Sequence, residues 1–375
     1  MDTQLDEKYM RQAIIAGEKG RCTAAPNPWV GCVIVDKNGE VIGVGYHSKA
    51  GTEHAEIRAI QDVQLKYGER TEEILCGATA YVTLEPCSHT GRTGPCMLQL
   101  IRYKFARVVV GLTDPDSNVS GRGIFGLREA GIKVDVGILE SECSESLKQY
   151  LHHRRTGKPW VVYKTGMSLD SKIADMYGKS EWITSEESRH DSQLRWRATS
   201  QAILVGSGTA KSDDPRLTVR EYPRHVKEEL SEFITPPLRC VVGRNVVLGS
   251  NLRNRKLGPT VVFTDEFDSE IGTQQTIVGL DSFNQIDLDQ VLQNLGDRGV
   301  LQLLVEGGPV LGASMLSKNL VNQLVVYQAP IILGEGISAF KIPGDRLELA
   351  QTFAWKLTKV TQLESDVCLE YIKKD

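Results

Sequence analysis

The sequence predicts two successive α/β domains, and three observations carry that expectation. The chain has 375 residues, enough for about two domains of ~150 residues each. Short Val- and Ile-rich runs alternate with amphipathic helical stretches through both halves, the βαβ rhythm of a mostly parallel sheet with helices on both faces. Near residue 150 an amphipathic segment runs into a basic turn holding Gly157 and Pro159, after which a second α/β series begins. The expected domains are therefore residues 1–150 and 151–375.

Taken in order, "DEKYMRQAIIAGEKG" has Met10, Ile14 and Ile15 at helical spacing. "WVGCVIVD" and "EVIGVGYH" are strands, and the Asn38-Gly39 pair between them suits a hairpin turn. "HAEIRAIQDVQLKYG" is a helix with Ala55, Ala59, Ile60 and Val63 on one face. "ATAYVTLEP" is a strand, "CMLQLIRYKF" a helix, "RVVVGLTDP" a buried strand, "GIFGLREAG" a helix ended by glycine, and "IKVDVGI" a strand. The second series starts at "PWVVYKTGMSLD" and continues through a helix over 186–198 that a Thr184-Ser185-Glu186-Glu187 capping box opens. Strands "QAILVGSG", "LRCVVG" and "PTVVFTD" follow, then helix "DLDQVLQNLGDRG", strand "LQLLVEGGP", helix "LGASMLSKN" and strand "QLVVYQAPIILG". "REYPRHVKEELSEFITPP" reads as a mobile polar excursion with a solvated surface.

Composition narrows the function classes. Hydrophobic content is 41% and formal net charge −4, so ordinary cores can form and no global basic field points to nucleic acid. The acidic, amphipathic N-terminal stretch is unlike a secretion signal, and no apolar run approaches the ~20 residues of a membrane span. These features predict a cytoplasmic protein with neither a nucleic-acid nor a membrane partner. The eight cysteines are accordingly expected as reduced thiols.

Two of those thiols stand in a chemical context. His54-Ala55-Glu56 opens a helix, Pro86-Cys87 follows a strand, and Cys96 follows Pro95. One imidazole and two thiolates leave a tetrahedral zinc ion with one open position, the arrangement of a catalytic centre. Such a centre makes water nucleophilic near neutral pH. Glu56, two residues from His54, does not share its helix face but can reach the reacting water as a proton carrier. His-x-Glu with Pro-Cys is the pattern of zinc deaminases acting on cytosine or adenine rings. His89 competes with Cys96 as a ligand, and Cys96 is preferred because it opens the next helix. The two cysteines are separated by eight residues, "SHTGRTGP", instead of the two common in deaminases. His89 and Arg92 in that insert are placed to hold an anionic substrate.

With these motifs in hand, "PNPWVGCVIV", "GYHSKAGTEHAE", "YVTLEPCSHTGRTGPC" and "GLTDPDSNVSGRGI" resemble the first domain of the bacterial bifunctional riboflavin-biosynthesis deaminase–reductase family. "KTGMSLDSKIA", "GKSEWITS", "AILVGSGTAKSDDPRLTVR" and "LLVEGGPVLGASML" resemble its second, in the same order. The resemblance implies a cytidine-deaminase-like three-layer α/β/α domain followed by a dihydrofolate-reductase-like α/β domain. It implies hydrolytic deamination of 2,5-diamino-6-(5-phosphoribosylamino)pyrimidin-4(3H)-one, then reduction of the ribosyl unit to ribityl with NADPH, in a homo-oligomer. His54, Cys87 and Cys96 would hold the zinc ion, Glu56 would shuttle the proton, and Asn27, His47, His89 and Arg92 would line the deaminase pocket.

The second site is less explicit in the residues. Strand "LQLLV" runs into Glu306-Gly307-Gly308-Pro309 and a helix, a turn whose N–H groups could meet a phosphate. It lacks the dinucleotide fingerprint, and on its own it is as well read as a tight turn. The resemblance adds NADP contacts at Gly166, Trp182, Thr209, Asp213 and Gly307, Gly308, Pro309, Val310, Leu311, Gly312 and Ala313. It also adds substrate contacts at Ser180, Arg197, Leu217, Arg220 and Glu306, with Arg197 and Arg220 as fork donors to the ribose phosphate. Three departures from the family pattern stand out: Ser171 replaces a usual glycine, Gly94 a usual proline, and "DPDSN" the usual "DPNP". Two other classes share part of the signal. A nucleic-acid base deaminase would need a basic groove and salt-dependent binding. A structural zinc module would close the site with a fourth protein ligand.

Overall fold

The computed structural model describes residues 3–88, 94–116, 120–340 and 354–374. They form two compact units, Met1–Gly157 with Arg224–Ile234, and Lys158–Pro223 with Thr235–Asp375. A break at 150/151 would fall inside the helix Lys148–Thr156, which ends where Gly157 turns left-handed at φ 72°. No helix of the described residues is long and apolar enough to cross a membrane.

The first unit contains, in order, α1 (Thr3–Glu18), β1 (Gly31–Val35), β2 (Val41–Tyr46), α2 (Ala55–Tyr67), α3 (Thr71–Leu75), β3 (Thr79–Val82), α4 (Cys96–Arg102), β4 (Arg107–Val110), α5 (Arg122–Glu129), β5 (Lys133–Val136), α6 (Glu140–Ser146) and α7 (Lys148–Thr156). Its sheet order is β2-β1-β3-β4-β5. β3, β4 and β5 run parallel, whereas β1 is antiparallel to both β2 and β3. The expected mostly parallel sheet is thus mixed, because the hairpin at Gly39 (φ 88°) reverses β2 onto β1. Strand alternation makes two cores. Ile34, Ala80, Val82, Val108 and Val110 pack with α2, α4 and α5 residues on one face. On the other, Tyr81 and Arg107 meet Asp6 of α1, with Arg107 in a buried two-bond fork at 2.6 and 2.8 Å.

Helix α1 uses a different face from the one its aliphatic residues suggest. Ile15 is 66% exposed, while Ala13, Ala16 and Gly17 are buried. A Cβ on Gly17 would lie 2.5 Å from the Trp29 carbonyl, and one on Gly31 would lie 1.8 Å from that of Ala13. The helix packs backbone to backbone on β1, which only small residues permit.

The second unit contains β6 (Trp160–Met167), β7 (Lys172–Ala174), α8 (Glu186–Ser192), β8 (Ala202–Gly206) and α9 (Ser207–Asp213). After the excursion helix α10 (Arg224–Glu229) come β9 (Leu238–Val242), α11 (Ser250–Arg253), β10 (Thr260–Thr264), β11 (Gln274–Ile277), α12 (Leu288–Asp297), β12 (Gln302–Val305), α13 (Pro309–Ser317), β13 (Gln323–Gln328), β14 (Ile337–Ser338), β15 (Trp355–Leu363) and β16 (Asp366–Lys373). Among the described residues the main sheet runs β11-β10-β9-β8-β12-β6-β13-β16-β15, parallel except for the last two pairings. Val161, Leu204, Leu303 and Val305 point into one core, and Val162, Ile203, Val205 and Leu304 into the other. Both faces are therefore covered, as the continuous apolar strands demand.

Three local readings change. The helix expected over 186–198 stops at Ser192 and continues as a π-helical segment, Gln193–Arg197, with Ala198 N bonding Gln193 O at 2.9 Å. Its cap is Ser185, whose Oγ accepts from Ser188 N at 3.1 Å, so the expected Thr184–Glu187 box is displaced by one residue. The polar excursion is also more than a solvated loop. Arg224–Ile234 belongs to the first unit, where Val226 and Leu230 are buried and His225 Nε2 bonds Lys19 O at 3.2 Å.

Candidate functional site

In the first unit, three segments converge on one point. His54 is the N-cap residue of α2, in extended conformation at φ −74° and ψ 166°. Cys96 is the first residue of α4, and Cys87 lies in the loop after β3. It is therefore Cys96 that opens a helix. Cys87 instead accepts that helix's first N–H, from Cys96 N to Cys87 Sγ at 3.3 Å. His54 Nδ1 is 3.5 Å from Cys87 Sγ and 3.3 Å from Cys96 Sγ. Ligand bonds of zinc to nitrogen and sulfur at tetrahedral angles place such atoms about 3.6 Å apart. The three side chains thus fit one tetrahedral ion, and three protein ligands leave its fourth position open. The neighbouring Cys96 thiol holds the Cys87 thiol well below its ordinary pKa against the opposing effect of burial, with His54 and then the Cys96 N–H adding to the drop. All eight cysteines are free of disulfides.

Glu56 sits in the first turn of α2, 3% exposed. Burial pushes its carboxyl up to about 7, with Cys87 adding to the rise and His54 opposing it. A carboxyl poised there can both accept and return a proton near neutral pH. His47 is buried too, and burial lowers it to about 4. Its Nδ1 lies 3.1 Å from Glu53 O and its Nε2 3.1 Å from Asn27 Nδ2. The carbonyl can only accept, so Nδ1 carries the hydrogen and Asn27 donates to Nε2. His47 is thus a fixed, neutral polar group and not a surface histidine.

Asn27, His47, His54, Glu56 and Cys87 line one cavity of about 570 Å³. His89 and Arg92 lie outside the described residues. The cavity also has walls not among the expected site residues: Glu85, Asp114 and Asp116 within the motifs, and Tyr150 and Arg154 outside them. Glu85 accepts from the N–H groups of Asp114, Gly121, Gly123 and Ile124 at 2.9–3.3 Å, tying the loop after β4 to the start of α5. Burial raises the Asp114 carboxyl, against the bonds it accepts from Asp116 N and Tyr150 Oη. A single carboxylate next to a motif cysteine gives little signal in sequence, because its partners are main-chain groups far along the chain.

In the second unit, several of the residues expected at the reductase site, among them Gly166, Thr209 and Glu306, lie at or just after the C-terminal ends of β6, β8 and β12. β12 ends at Val305, Glu306-Gly307-Gly308 turns, and α13 begins with Pro309 as its first residue. A Cβ on Gly308 would lie 3.3 Å from Thr209 Oγ1, so the glycine turn and α9 approach closely. Asp213 ends α9. Gly166 lies in β6, where a Cβ would meet Thr184 at 3.1 Å. Trp182 is 67% exposed, with the Arg189 guanidinium 4.3 Å above its ring, so it is not a core residue. Ser180 and Arg220 are exposed.

Two residues expected to contact the substrate are already engaged within the protein. Arg197 is not an open fork, because its Nε and Nη2 bond Glu306 at 2.6–3.2 Å and its Nη1 donates to Thr218 O at 2.9 Å. It positions Glu306 and the 217–220 strip, leaving Arg220 as the exposed guanidinium. Leu217 is 2% exposed in the core, so only its main chain can face a substrate. Lys164 went unnoticed. Its Nζ lies 3.1 Å from Glu306 Oε1, because the β6–β12 register that pairs Tyr163 with Val305 brings the next residues together. Burial alone would push Glu306 up, but Arg197 and Lys164 outweigh it and hold the carboxyl down at about 2.

Comparison with known proteins agrees with this division. Residues 3–112 match the cytidine and deoxycytidylate deaminase zinc-binding region, and residues 159–369 match the RibD C-terminal domain. The chain is 39% identical to the riboflavin biosynthesis protein RibD of Escherichia coli, over 98% of this chain and 99% of that one. It is 44% identical to its counterpart in Chlamydia pneumoniae, over 87% and 85%. Among solved structures it is similar to Acinetobacter baumannii RibD, with TM-score 0.88 and 34% identity over all of both chains. It is also similar to a Thermotoga maritima diaminohydroxyphosphoribosylaminopyrimidine deaminase/5-amino-6-(5-phosphoribosylamino)uracil reductase, with TM-score 0.86 and 30% identity over 99% of each.

Proposed function

The chain belongs to the RibD family of riboflavin biosynthesis proteins, two-domain enzymes that use zinc and NADPH, and from that premise we propose which residues perform each step. The first unit removes the 2-amino group of 2,5-diamino-6-(5-phosphoribosylamino)pyrimidin-4(3H)-one: water adds at the ring carbon, the C–N bond breaks, and ammonia leaves. His54, Cys87 and Cys96 hold the zinc ion. When bound, zinc supplies the Lewis acidity that makes water a nucleophile near neutral pH. Glu56 takes a proton from the attacking water and hands it to the departing amine. Asn27 and neutral His47 present fixed polar groups to the ring, and His89 and Arg92 are expected to contact the substrate as well. The second unit reduces the ribosyl side chain of the deaminated product. NADPH brings the hydride, so the protein supplies position and charge. Gly166, Trp182, Thr209, Asp213 and the 307–313 turn hold the cofactor. Ser180, Arg197, Leu217, Arg220 and Glu306 hold the substrate, and Arg197 and Lys164 also fix Glu306.

The observation that carries this reading is the spacing of His54, Cys87 and Cys96 around one tetrahedral position with buried Glu56 beside it. Metal analysis coupled to turnover tests it. The unaltered chain should hold one zinc per first unit and release ammonia from the substrate, and Cys96→Ala should lose both. Ammonia release that survives loss of the metal would count against the assignment. The family resemblance also implies a homo-oligomer in the cytoplasm, and light scattering on the purified chain checks the assembly.

A further inference from the structure

Helix α7 puts an arginine into the deaminase cavity from outside every motif used so far. Tyr150 and Arg154 are four residues apart on α7 and both line the cavity. Tyr150 Oη donates to the Asp114 carboxylate at 3.1 and 3.3 Å, which fixes the ring. The Arg154 guanidinium lies 5.0 Å over that ring, and its Nε is 3.8 Å from Asp116 Oδ2. A last-turn arginine commonly just complements the helix dipole. Arg154 does more, since it is the one lysine or arginine among the described lining residues, in a cavity that Glu56, Glu85, Asp114 and Asp116 also line.

A substrate with a phosphate group brings a dianion into that acidic surround. Glu85 is already spent on four main-chain N–H groups, and among the described lining residues Arg154 is the one cationic side chain that can meet an entering phosphate. The contact between Arg154 and Asp116 is long and partly solvated, with side-chain exposures of 31% and 25%. Such a pair is weak. A phosphate oxygen offers the guanidinium shorter, charge-assisted bonds, so exchange favours the substrate. Asp116 stands in the "DPDSN" that replaces "DPNP", so this chain carries a carboxylate that competes with the phosphate for Arg154.

We propose that Arg154 is a specificity-determining residue of the deaminase, binding the substrate's phosphate in exchange for Asp116. The inference rests on the deaminase reading of the first unit. The test uses the full chain loaded with zinc and measures ammonia release from the phosphorylated pyrimidine and from its 5′-hydroxyl counterpart. Arg154→Ala should raise KM for the phosphorylated substrate about tenfold or more, leave kcat within about twofold, and leave KM for the hydroxyl counterpart unchanged. Arg154→Lys should recover part of the loss, and Asp116→Asn should lower KM for the phosphorylated substrate only. The thermal midpoint of each variant controls for folding, and Arg154→Gln replaces the alanine variant if that one is unstable. Equal KM changes for both substrates, or none for either, would overturn the inference while leaving the deaminase reading intact. No ammonia release by the unaltered chain would overturn both.

Discussion

The two units place their functional residues in opposite ways. In the first, His47, His54, Glu56 and Cys87 line one cavity with Cys96 beside Cys87 and His54, and together they supply imidazoles, thiols and a carboxyl. In the second, the residues are spread over the ends of β6, β8 and β12, and many would act through main-chain atoms or simply by being glycine. The difference follows from the source of the chemistry. Hydrolysis needs protein groups that bind metal and move protons. Hydride transfer is carried by the cofactor, so the protein mainly shapes its seat.

If that contrast is right, single substitutions in the second unit should act through packing and electrostatics. The largest effect is expected from Glu306→Gln, which leaves Arg197 and Lys164 without their carboxylate and should cost about 3 kcal/mol. The Glu306 carboxyl is held at about 2, below its ordinary 4.5. Its contribution is therefore complete above about 4.5 and is lost as pH falls through 2. Chemical denaturation between pH 5 and 2.5 should show this acid-side slope in the unaltered chain and a flatter one in Glu306→Gln. Identical slopes would show that the pair does not govern the unit.

Gly312→Ala should come next. The added Cβ would lie 2.1 Å from Tyr163 Oη and 2.4 Å from Cζ, and Tyr163 is fully buried, so α13 must move away. Overpacking of that kind costs about 1–3 kcal/mol. The KM for NADPH should rise while ammonia release is unchanged, and a rise in neither stability cost nor KM would remove the turn from the cofactor seat. The smallest effect is expected from Ser171→Gly. Ser171 adopts φ 61°, the left-handed region, in a turn where Ser171 N donates to Ser168 O at 3.0 Å. Glycine there should raise stability by about 1 kcal/mol in thermal melts.

Legibility tracked the same contrast. The candidate metal cluster His54, Cys87 and Cys96, with Glu56 beside it, is legible in sequence because few residue types serve such roles and their segments are compact. His47 carries little signal of its own in sequence, and its burial and bonds to Asn27 and Glu53 come from segments that no local pattern joins. Glu85 and Lys164 were missed because their partners depend on loop closure and strand register, which no local pattern encodes. The pairing of Arg197 with Glu306 is hidden from sequence for the same reason, since it joins segments far apart in the chain. Among the elements, β15 escaped notice because it is an edge strand whose residues are mostly exposed and polar. Ile15 misled because α1 packs through Ala13 and Gly17 by backbone contact. The excursion hid two buried apolar residues, Val226 and Leu230, within a charged stretch.

The central claim is that each unit carries its own chemistry, with Glu56 serving only the first. Glu56→Gln keeps the shape of the buried side chain and removes its ability to carry a proton. Ammonia release from the diaminopyrimidine substrate and NADPH oxidation with the deaminated substrate should be measured on the same preparation. The account predicts that ammonia release falls by about 100-fold or more while NADPH oxidation is unchanged. Equal loss of both activities, or retention of both, would contradict it.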